Sequence, residues 1–426
     1  MTAPRSEWLA ILSSVLVLAA CTDDPQLGPV SAPPLPQYSL SATAEVAGLD
    51  LGTLGGRASY AEAINIWGTV VGYSNTDDGS VHAFRWRRAD GMKDMGTLPG
   101  DVESGAVSIL ATGEILGWSK SAAGTSTVVI WGPTGRIRRV DIPPPPDSKG
   151  AMAPTDFNLS GAIIGWTFTQ SGSQRGWYWS SGSRTVDLRA EIPSCGENYP
   201  SAINGFGFVA GGYCEPNIGW LHAFLWHLGV TYTDLGIIGD EISRANVVAL
   251  SLNDRNRVVG WILPGRLTSQ SAYVWSKADG FALLPSPIGP APYSYATGIN
   301  DPGTIVGAAT SSLNGDPIQA VAWPSADSFI RLTSAANKAS VATAVSQRGQ
   351  VAGWFSFDDA GTNHAMLWDL STAMPATSVA ASTPPVFDIE GLAAPRAGMA
   401  TPESCLTDAT AMASKGARMQ CVLERM

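Results

Sequence analysis

An apolar pair followed by glycine recurs along the chain at nearly constant intervals. The seven copies end at Gly72, Gly117, Gly165, Gly211, Gly260, Gly307 and Gly353. The steps between these glycines are 45, 48, 46, 49, 47 and 46 residues, and a tryptophan follows each glycine by 14 to 16 residues. Because two markers keep one phase through seven copies, the pattern predicts a repeat of one structural unit.

Each unit has room for four short strands. In the first unit these are EAIN (62–65), TVVGYS (69–74), HAFRW (82–86) and MKDMGTL (92–98). Four strands in about 47 residues are typical of a propeller blade, which buries its two faces only against neighbouring blades. We therefore predict an all-β fold, a seven-bladed β-propeller of four-stranded blades over residues 46–372. The apolar pair and the tryptophan are expected to fill the space between blades.

Asparagine opens the predicted first turn of most units. It stands three residues before a glycine in four of them, at Asn65, Asn158, Asn204 and Asn300. Asn favours the start of a tight turn, and glycine accepts the left-handed conformation at its end. In the fifth unit Asn256 takes the glycine position, where it is the next best residue. We interpret these asparagines as structural, not as ligands.

The ends of the ring are predicted to meet through an N-terminal strand. After Trp368 the last unit has no clear fourth strand, whereas LDLGTLGG (49–56) resembles the fourth-strand segments MKDMGTLPG and TDLGIIGD. We expect this strand to complete the seventh blade. Such a closure would remove the sheet edges that an open ring exposes.

The units AINIWGTVVGYS…HAFRW…GMKDMGTLPG and AINGFGFVAGGY…HAFLW…TDLGIIGD resemble the HAF-type extracellular repeat, named for its His-Ala-Phe triplet. The resemblance is close in the first and fourth units and looser in the second, third and sixth. It implies an exported, propeller-like protein. It supplies no catalytic residues, so it leaves the activity open.

The N-terminus reads as a targeting signal followed by a tether. Residues 1–20 contain the apolar run WLAILSSVLVLAA, too short to span a bilayer as a mature helix. The run leads directly into a cysteine, as Leu18-Ala19-Ala20-Cys21. That ending resembles a bacterial lipobox, which predicts lipidation at Cys21; an ordinary secretory signal with a coincidental cysteine is the alternative. Residues 21–45 are Pro-rich and predict a flexible tether. We expect a cell-envelope lipoprotein, periplasmic or on the cell surface, that contacts the membrane only through its lipid anchor.

The remaining four cysteines predict two disulfides, as is common in exported proteins. Nearness in sequence favours Cys195 with Cys214 and Cys405 with Cys421. The second pair lies in the Ala-, Pro- and Thr-rich segment 373–426, which we interpret as an appendage to the ring.

Charge excludes one class of partner. The chain has 426 residues and a formal net charge of −10, with only 15% charged residues. A nucleic-acid-binding protein needs a basic surface, so we predict that this chain does not bind nucleic acid. We expect a monomer.

One acidic set and the histidines are the candidate metal ligands. Asp77 and Asp78 of the first unit and Asp358 and Asp359 of the seventh come together once the ring closes, and four carboxylates could hold Ca²⁺. The alternative is that Asp-Asp-Gly simply forms solvated turns. His82, His222 and His364 share one repeat position, so the repeat accounts for them better than a metal centre does. No other cofactor is predicted.

No motif of nucleophilic, metal-dependent or phosphate-binding catalysis is present, so no catalytic residue is predicted.

The links between second and third strands and between blades vary most, and such loops commonly carry binding residues. Tyr213, Trp220 and Tyr293 are the contact candidates there, with packing under the loops as the alternative. We predict a non-enzymatic scaffold that binds a protein or glycan through its loop-rich face; the alternative is a polysaccharide lyase or glycoside hydrolase with its site at the channel.

Overall fold

The fold of the chain is a ring of seven antiparallel sheets, as the repeat predicts. The computed structural model describes residues 44–192, 194, 196–214, 221–236, 245–264, 270–286, 293–310, 317–333, 338–357 and 362–373. These residues form a seven-bladed β-propeller of four-stranded blades, which confirms the predicted fold class.

The strands follow the chain from blade to blade. Blade 1 consists of Gly55–Ile64, Val70–Thr76, Val81–Arg87 and Gly91–Asp94. Blade 2 consists of Asp101–Ile109, Ile115–Ser121, Ser126–Trp131 and Ile137–Arg139. Blade 3 consists of Ser148–Phe157, Ile163–Thr169, Gln174–Trp179 and Val186–Asp187. Blades 4 and 5 consist of Asn198–Ile203, Phe208–Cys214, Leu221–His227 and Val230–Asp234; and Ala245–Leu252, Val258–Pro264, Ser271–Ser276 and Gly280–Leu283. Blade 6 has Tyr293–Ile299, Ile305–Thr310, Gln319–Ser325 and Ser328–Thr333, and blade 7 has Ser340–Val345, Gln350–Ser356 and Asn363–Asp369. A short helix, Leu188–Glu191, follows blade 3, and a 3-10 helix, Leu370–Thr372, follows blade 7.

The first strand of every blade lies at the inner edge of its sheet. It contacts the first strand of the next blade all the way round, blade 7 to blade 1 included. Because neighbouring strands are antiparallel, the connections alternate between two faces. We call the face with the turns between strands 1 and 2 and between strands 3 and 4 the turn face. The opposite face, with the links between strands 2 and 3 and between blades, is the loop face.

The repeat glycine is required by a bulge in the first strand. In blade 1 the register shifts between Ala61 and Ala63, and every other blade shifts at the equivalent place. The bulge brings a carbonyl of the first strand close to the second strand. A Cβ on any of the seven repeat glycines would lie only 1.8–2.4 Å from that carbonyl oxygen. Only glycine leaves room for this approach.

The apolar pairs and tryptophans of the repeat form the packing between blades. All fourteen residues of the pairs are at most 2% exposed. Six of the seven repeat tryptophans are buried, and Trp179 is partly buried. Between blades 1 and 2, for example, Val71 packs in one cluster with Ile115 and Trp131. Burial of this apolar surface is what ties each blade to the next.

The turn asparagines connect neighbouring blades, which supports their structural interpretation. Asn204 Oδ1 accepts hydrogen bonds within its own turn, while its Nδ2 donates to Asn253 O of the next blade at 3.1 Å. The same donation to the next turn is made by Asn65, Asn158, Asn253 and Asn300. Each amide therefore satisfies buried backbone groups of two blades at once.

An N-terminal strand closes the ring, as predicted. Leu49–Asp50, the closing strand, pairs antiparallel with the third strand of blade 7, with Leu49 opposite Leu367. The seam between blades 7 and 1 is further held by Ser59, whose Oγ accepts a hydrogen bond from Ala365 N at 2.8 Å. The structure also shows a strand that the sequence analysis missed. Ala44–Ala47, the capping strand, pairs parallel with the fourth strand of blade 6, where the sequence predicts the end of the tether.

Two predicted regions lie outside the described residues: the signal and tether up to residue 43, with Cys21, and the appendage beyond residue 373, with Cys405 and Cys421. Their assignments stay predictions. Within the part of the chain that the structure describes, no helix is long and apolar enough to cross a membrane.

Candidate functional site

The repeat histidines bind aspartates of the neighbouring fourth strand. His82 Nδ1 lies 2.8 Å from Asp94 Oδ2, and His222 Nδ1 lies 3.0 Å from Asp234 Oδ2. His364 Nδ1 makes the same contact with Asp50 of the closing strand, at 3.0 Å. The imidazole thus joins the third and fourth strands of blades 1, 4 and 7, and this explains why histidine and aspartate recur together in those repeats.

These aspartates also hold the turn that follows them. Asp234 Oδ1 accepts from Gly236 N at 2.9 Å. Partial burial raises the pKa of Asp234, but hydrogen bonds from His222, Gly236 N–H and Tyr213 outweigh it, and the pKa lies below its ordinary value. Each carboxylate is therefore engaged by its own blade.

The acidic loop of blade 1 is arranged as a turn. Asp78 Oδ1 accepts from Thr76 Oγ1 at 2.5 Å and from Ser80 N at 3.0 Å. These two hydrogen bonds lower the pKa of Asp78. Asp77 is exposed beside it, while Asp358 and Asp359 lie outside the described residues. Among the residues that are described, no three His, Cys, Asp or Glu side chains are grouped so that they could hold a metal ion.

The aromatic contact candidates differ in placement. Tyr213 is 3% exposed, its hydroxyl donates to Asp234 Oδ2 at 3.0 Å, and its ring packs near Phe224. Burial and the neighbouring Asp234 raise its pKa. This placement matches the packing alternative. Tyr293 begins blade 6 and is half-buried, and burial raises its pKa. Trp220 lies outside the described residues.

Cys214 lies at the end of the second strand of blade 4, and its N–H donates to Glu197 O at 3.1 Å. This bond brings the backbone just after Cys195 alongside Cys214. Cys195 itself lies outside the described residues, so their disulfide stays a prediction.

An aromatic group that the sequence analysis did not single out lies at the seam between blades 7 and 1. It consists of Tyr60 and Tyr73 of blade 1 and Trp354 and Asn363 of blade 7, and we call it the seam cluster. The two tyrosine rings are stacked at 5.1 Å with an interplanar angle of 26°, and Trp354 meets Tyr60 edge-on at 5.8 Å. Asn363 Nδ2 donates to the Tyr60 hydroxyl at 2.6 Å. All four side chains are half-buried.

Comparison of the blades shows what is special about this group. At the equivalent pair of positions on strands 1 and 2, the other blades place one large ring opposite a small or aliphatic residue. The pairs are Gly105–Trp118, Ala153–Trp166, Tyr199–Gly212, Val248–Trp261, Tyr295–Ala308 and Val341–Trp354. Four of these rings, those of Trp118, Trp166, Trp261 and Tyr295, are buried. Blade 1 alone has a ring on both strands, Tyr60 opposite Tyr73. Both of these rings are partly accessible, as are the single rings of Tyr199 and Trp354.

The chemistry of the seam cluster suits a ligand with flat apolar faces and hydroxyl edges. Stacked aromatic rings offer such faces a platform, and a phenol hydroxyl both donates and accepts hydrogen bonds. The signal was present in the sequence as YAEAIN…VVGY. When the units are aligned at the repeat glycine, the first unit is the one that has two aromatic residues where the others pair one aromatic ring with a small or aliphatic residue.

A second open region lies on the turn face. Trp67 at the first turn of blade 1 is 66% exposed, and its Nε1 donates to Ala111 O of blade 2 at 2.9 Å. Beside it is a cleft of about 540 Å³, lined by Trp67, Arg87, Arg88 and Thr112 among others. The guanidinium of Arg348 from blade 7 lies 5.3 Å from the centre of the Trp67 ring, within cation–π distance. This turn-face cleft thus joins an exposed indole to arginines.

No protein-family model matches the chain, and no curated protein matches its sequence. Solved structures match its fold. A lectin from Burkholderia pseudomallei has a TM-score of 0.44 at 12% identity, covering 78% of this chain and 99% of the lectin. Puromycin hydrolase has a TM-score of 0.51 at 12% identity, covering 79% of this chain and 56% of the hydrolase. A gluconolactonase from Xanthomonas campestris has a TM-score of 0.38 at 10% identity, covering 79% of this chain and 98% of that one. At 12% identity the likeness to puromycin hydrolase shows a shared fold and nothing of the activity.

Proposed function

We propose that the protein is a non-enzymatic binding scaffold that holds a glycan at the seam cluster on its loop face. The observation that carries the proposal is the doubled ring in blade 1, where Tyr60 and Tyr73 stack at 5.1 Å and stay half-buried. Aromatic faces of this kind bind the C–H faces of sugar rings, and the phenols and the Asn363 amide supply hydrogen bonds to hydroxyl groups.

The proposed setting is outside the cytoplasm, on a lipid anchor at Cys21. The lipobox ending LAAC, the Pro-rich segment after it and the resemblance to the HAF-type extracellular repeat support this location. Incorporation of labelled palmitate should be lost in Cys21→Ser. Unchanged labelling in that variant would contradict the anchor without touching the glycan site.

A second candidate function is polysaccharide cleavage at the same place. The observation that favours it is the pair of stacked tyrosines, Tyr60 and Tyr73, on the first and second strands of blade 1, since phenols can transfer protons in catalysis. The two candidates differ in whether bound polysaccharide is consumed.

A glycan-array screen of the full mature chain, followed by a turnover assay on each retained glycan, tests the proposal. The expected result is retention without cleavage, and cleavage of a retained polysaccharide would replace the scaffold by the enzyme. Trp354→Leu should weaken retention about tenfold, the effect of losing one aromatic contact of roughly 1.4 kcal/mol.

The matched control uses two tyrosines at the same position of different blades. Tyr60→Phe removes the hydroxyl that contacts Asn363, whereas Tyr199→Phe makes the same change in blade 4, opposite Gly212 and away from the seam. Glycan retention should fall in the first variant and not in the second. Equal effects, or no effect of either seam variant, would place any glycan site elsewhere.

A further inference from the structure

Exposed apolar side chains of this protein are concentrated on one face. Of the eight large hydrophobic residues that are exposed among the described ones, five lie on the turn face. They are Trp67 (66% exposed), Leu159 (66%), Phe206 (67%), Leu228 (45%) and Val230 (58%). The first three occupy the first turns of blades 1, 3 and 4 and the last two the strand 3–4 turn of blade 4. Four of the five lie in the neighbouring blades 3 and 4, and large exposed apolar groups on adjoining parts of one surface mark an interaction site.

The exposed rings are held in place by backbone contacts rather than by burial. The Trp67 indole is fixed through Nε1 to Ala111 O at 2.9 Å. The turn of Phe206 is tied to the preceding blade by Asn158, whose Nδ2 donates to Asn204 O at 3.0 Å. These turns therefore present tryptophan, phenylalanine and leucine outward on a rigid base.

Basic side chains are interspersed with them. Arg88, Arg255 and Arg348 are exposed on the same face, and Arg88 lines the turn-face cleft with Trp67. Aspartates lie on the same face: Asp254 Oδ1 accepts from Gly205 N and Asp301 Oδ1 accepts from Asp254 N, whereas Asp90, Asp279 and Asp327 are exposed at the strand 3–4 turns of blades 1, 5 and 6. The surface thus offers indole and phenyl rings with guanidinium groups, a combination that suits the headgroup region of a bilayer with anionic phosphates.

The direction of the capping strand places Ala44, the first described residue, at the turn-face end of the ring. The capping strand pairs parallel with the fourth strand of blade 6, Ala44 opposite Ile330. That fourth strand begins at Ser328, directly after a turn of the turn face, so the capping strand also begins at the turn face and runs toward the loop face. The chain therefore enters the ring at the turn face. Cys21 precedes Ala44 by only 23 residues.

We propose that the turn face docks onto a phospholipid bilayer containing anionic lipid, through Trp67, Leu159 and Phe206 and the arginines beside them. The apolar side chains enter the interface between headgroups and acyl chains, and the arginines bind lipid phosphates. Docked in this way, the ring presents its loop face and the seam cluster away from the membrane. The docking surface is independent of the glycan site, and it does not require the lipid on Cys21.

The test uses the full mature chain carrying Cys21→Ser, so that no acyl chain contributes. It is sedimented with vesicles of phosphatidylethanolamine and phosphatidylglycerol in a 3:1 ratio, and with vesicles of phosphatidylcholine alone. Binding to the first vesicles is expected, with weaker binding to the second. Trp67→Ser combined with Phe206→Ser should reduce binding to the anionic vesicles at least tenfold, because each ring buries apolar surface worth more than one factor of ten.

Val102→Ser is the matched control. It removes an exposed hydrophobic side chain at the loop-face end of blade 2, where Val102 is 43% exposed. Vesicles with brominated acyl chains should also quench the tryptophan fluorescence of the chain with Trp67 intact more than that of the Trp67→Phe variant. Absence of vesicle binding, equal binding of the double variant, or an equal loss in Val102→Ser would overturn the docking proposal. None of these outcomes depends on palmitate labelling or on the glycan array, so the three proposals fail separately.

Discussion

At the scale of the residue, each repeat position is explained by the space that it leaves for a neighbouring group or by the hydrogen bonds that it makes. The repeat glycine leaves room for a carbonyl of the bulged first strand, and the turn asparagine satisfies backbone groups of two blades. Histidine and aspartate of blades 1, 4 and 7 join the third strand to the fourth. Each of these roles is met by contacts within the ring itself.

The glycine requirement predicts a large difference between two Gly→Ala changes. In Gly260→Ala the new methyl group would lie 1.8 Å from Val248 O, so the bulge must shift, and we expect a loss of about 2–3 kcal/mol in the free energy of unfolding. Gly132→Ala places its methyl 3.8 Å from Arg136 O and should change stability by less than about 0.5 kcal/mol. Urea unfolding of both variants measures the difference. Equal stabilities would show that the bulge relaxes freely.

At the scale of the element, closure depends on two short strands that precede the first blade. The closing strand has two residues, yet it supplies the aspartate that His364 binds and lies beside the seam bond of Ser59. The capping strand adds a fifth strand to blade 6 and buries Val46 in a cluster with Leu332 and Trp368. Sequence comparison found the closing strand because it copies MKDMG. The comparison missed the capping strand because its four residues, AEVA, resemble no other segment of the repeat.

The capping strand predicts opposite effects for two adjacent residues. Val46 is 1% exposed and Glu45 points outward. Val46→Ser removes packing and buries a hydroxyl, so it should lower the free energy of unfolding by about 1–3 kcal/mol. Glu45→Ser should have little effect. Hydrogen exchange of blade 6 amides would locate the change: it should be faster at Ile330–Thr333 in the first variant only. A similar effect of both variants would mean that the strand does not pack on blade 6.

At the scale of the whole molecule, closure turns seven units that cannot bury their own faces into one ring. Contacts between first strands run through all seven blades, and the seam is crossed by hydrogen bonds as the other junctions are. The two faces then differ in chemistry. The loop face carries the seam cluster. The turn face carries five of the eight large hydrophobic side chains that are exposed among the described residues, and the point where the capping strand begins.

Closure predicts cooperative unfolding. Because every blade is packed on both sides, fluorescence of the buried tryptophans and far-UV circular dichroism should report one coincident transition. Removal of residues 44–50 from the Cys21→Ser chain opens the seam at blade 7 and should lower the midpoint and broaden the transition. A transition unchanged by the deletion would show that the remaining contacts between blades 7 and 1 close the ring unaided.

The sequence by itself determined the fold of this protein, because a repeat multiplies each weak signal by seven. Residues such as Gly260 and Asn204 reveal their role only as members of a set, and the spacing of that set specifies a propeller. The shared repeat position of His82, His222 and His364 likewise identified them as members of the repeat. The candidate surfaces were decided by the tertiary structure. The seam cluster joins Tyr60 to Asn363, which are 303 residues apart, and only ring closure brings them to a hydrogen bond of 2.6 Å. The docking face likewise depends on strand direction: four residues paired parallel rather than antiparallel decide on which side of the ring the chain enters, and no side-chain pattern encodes that choice.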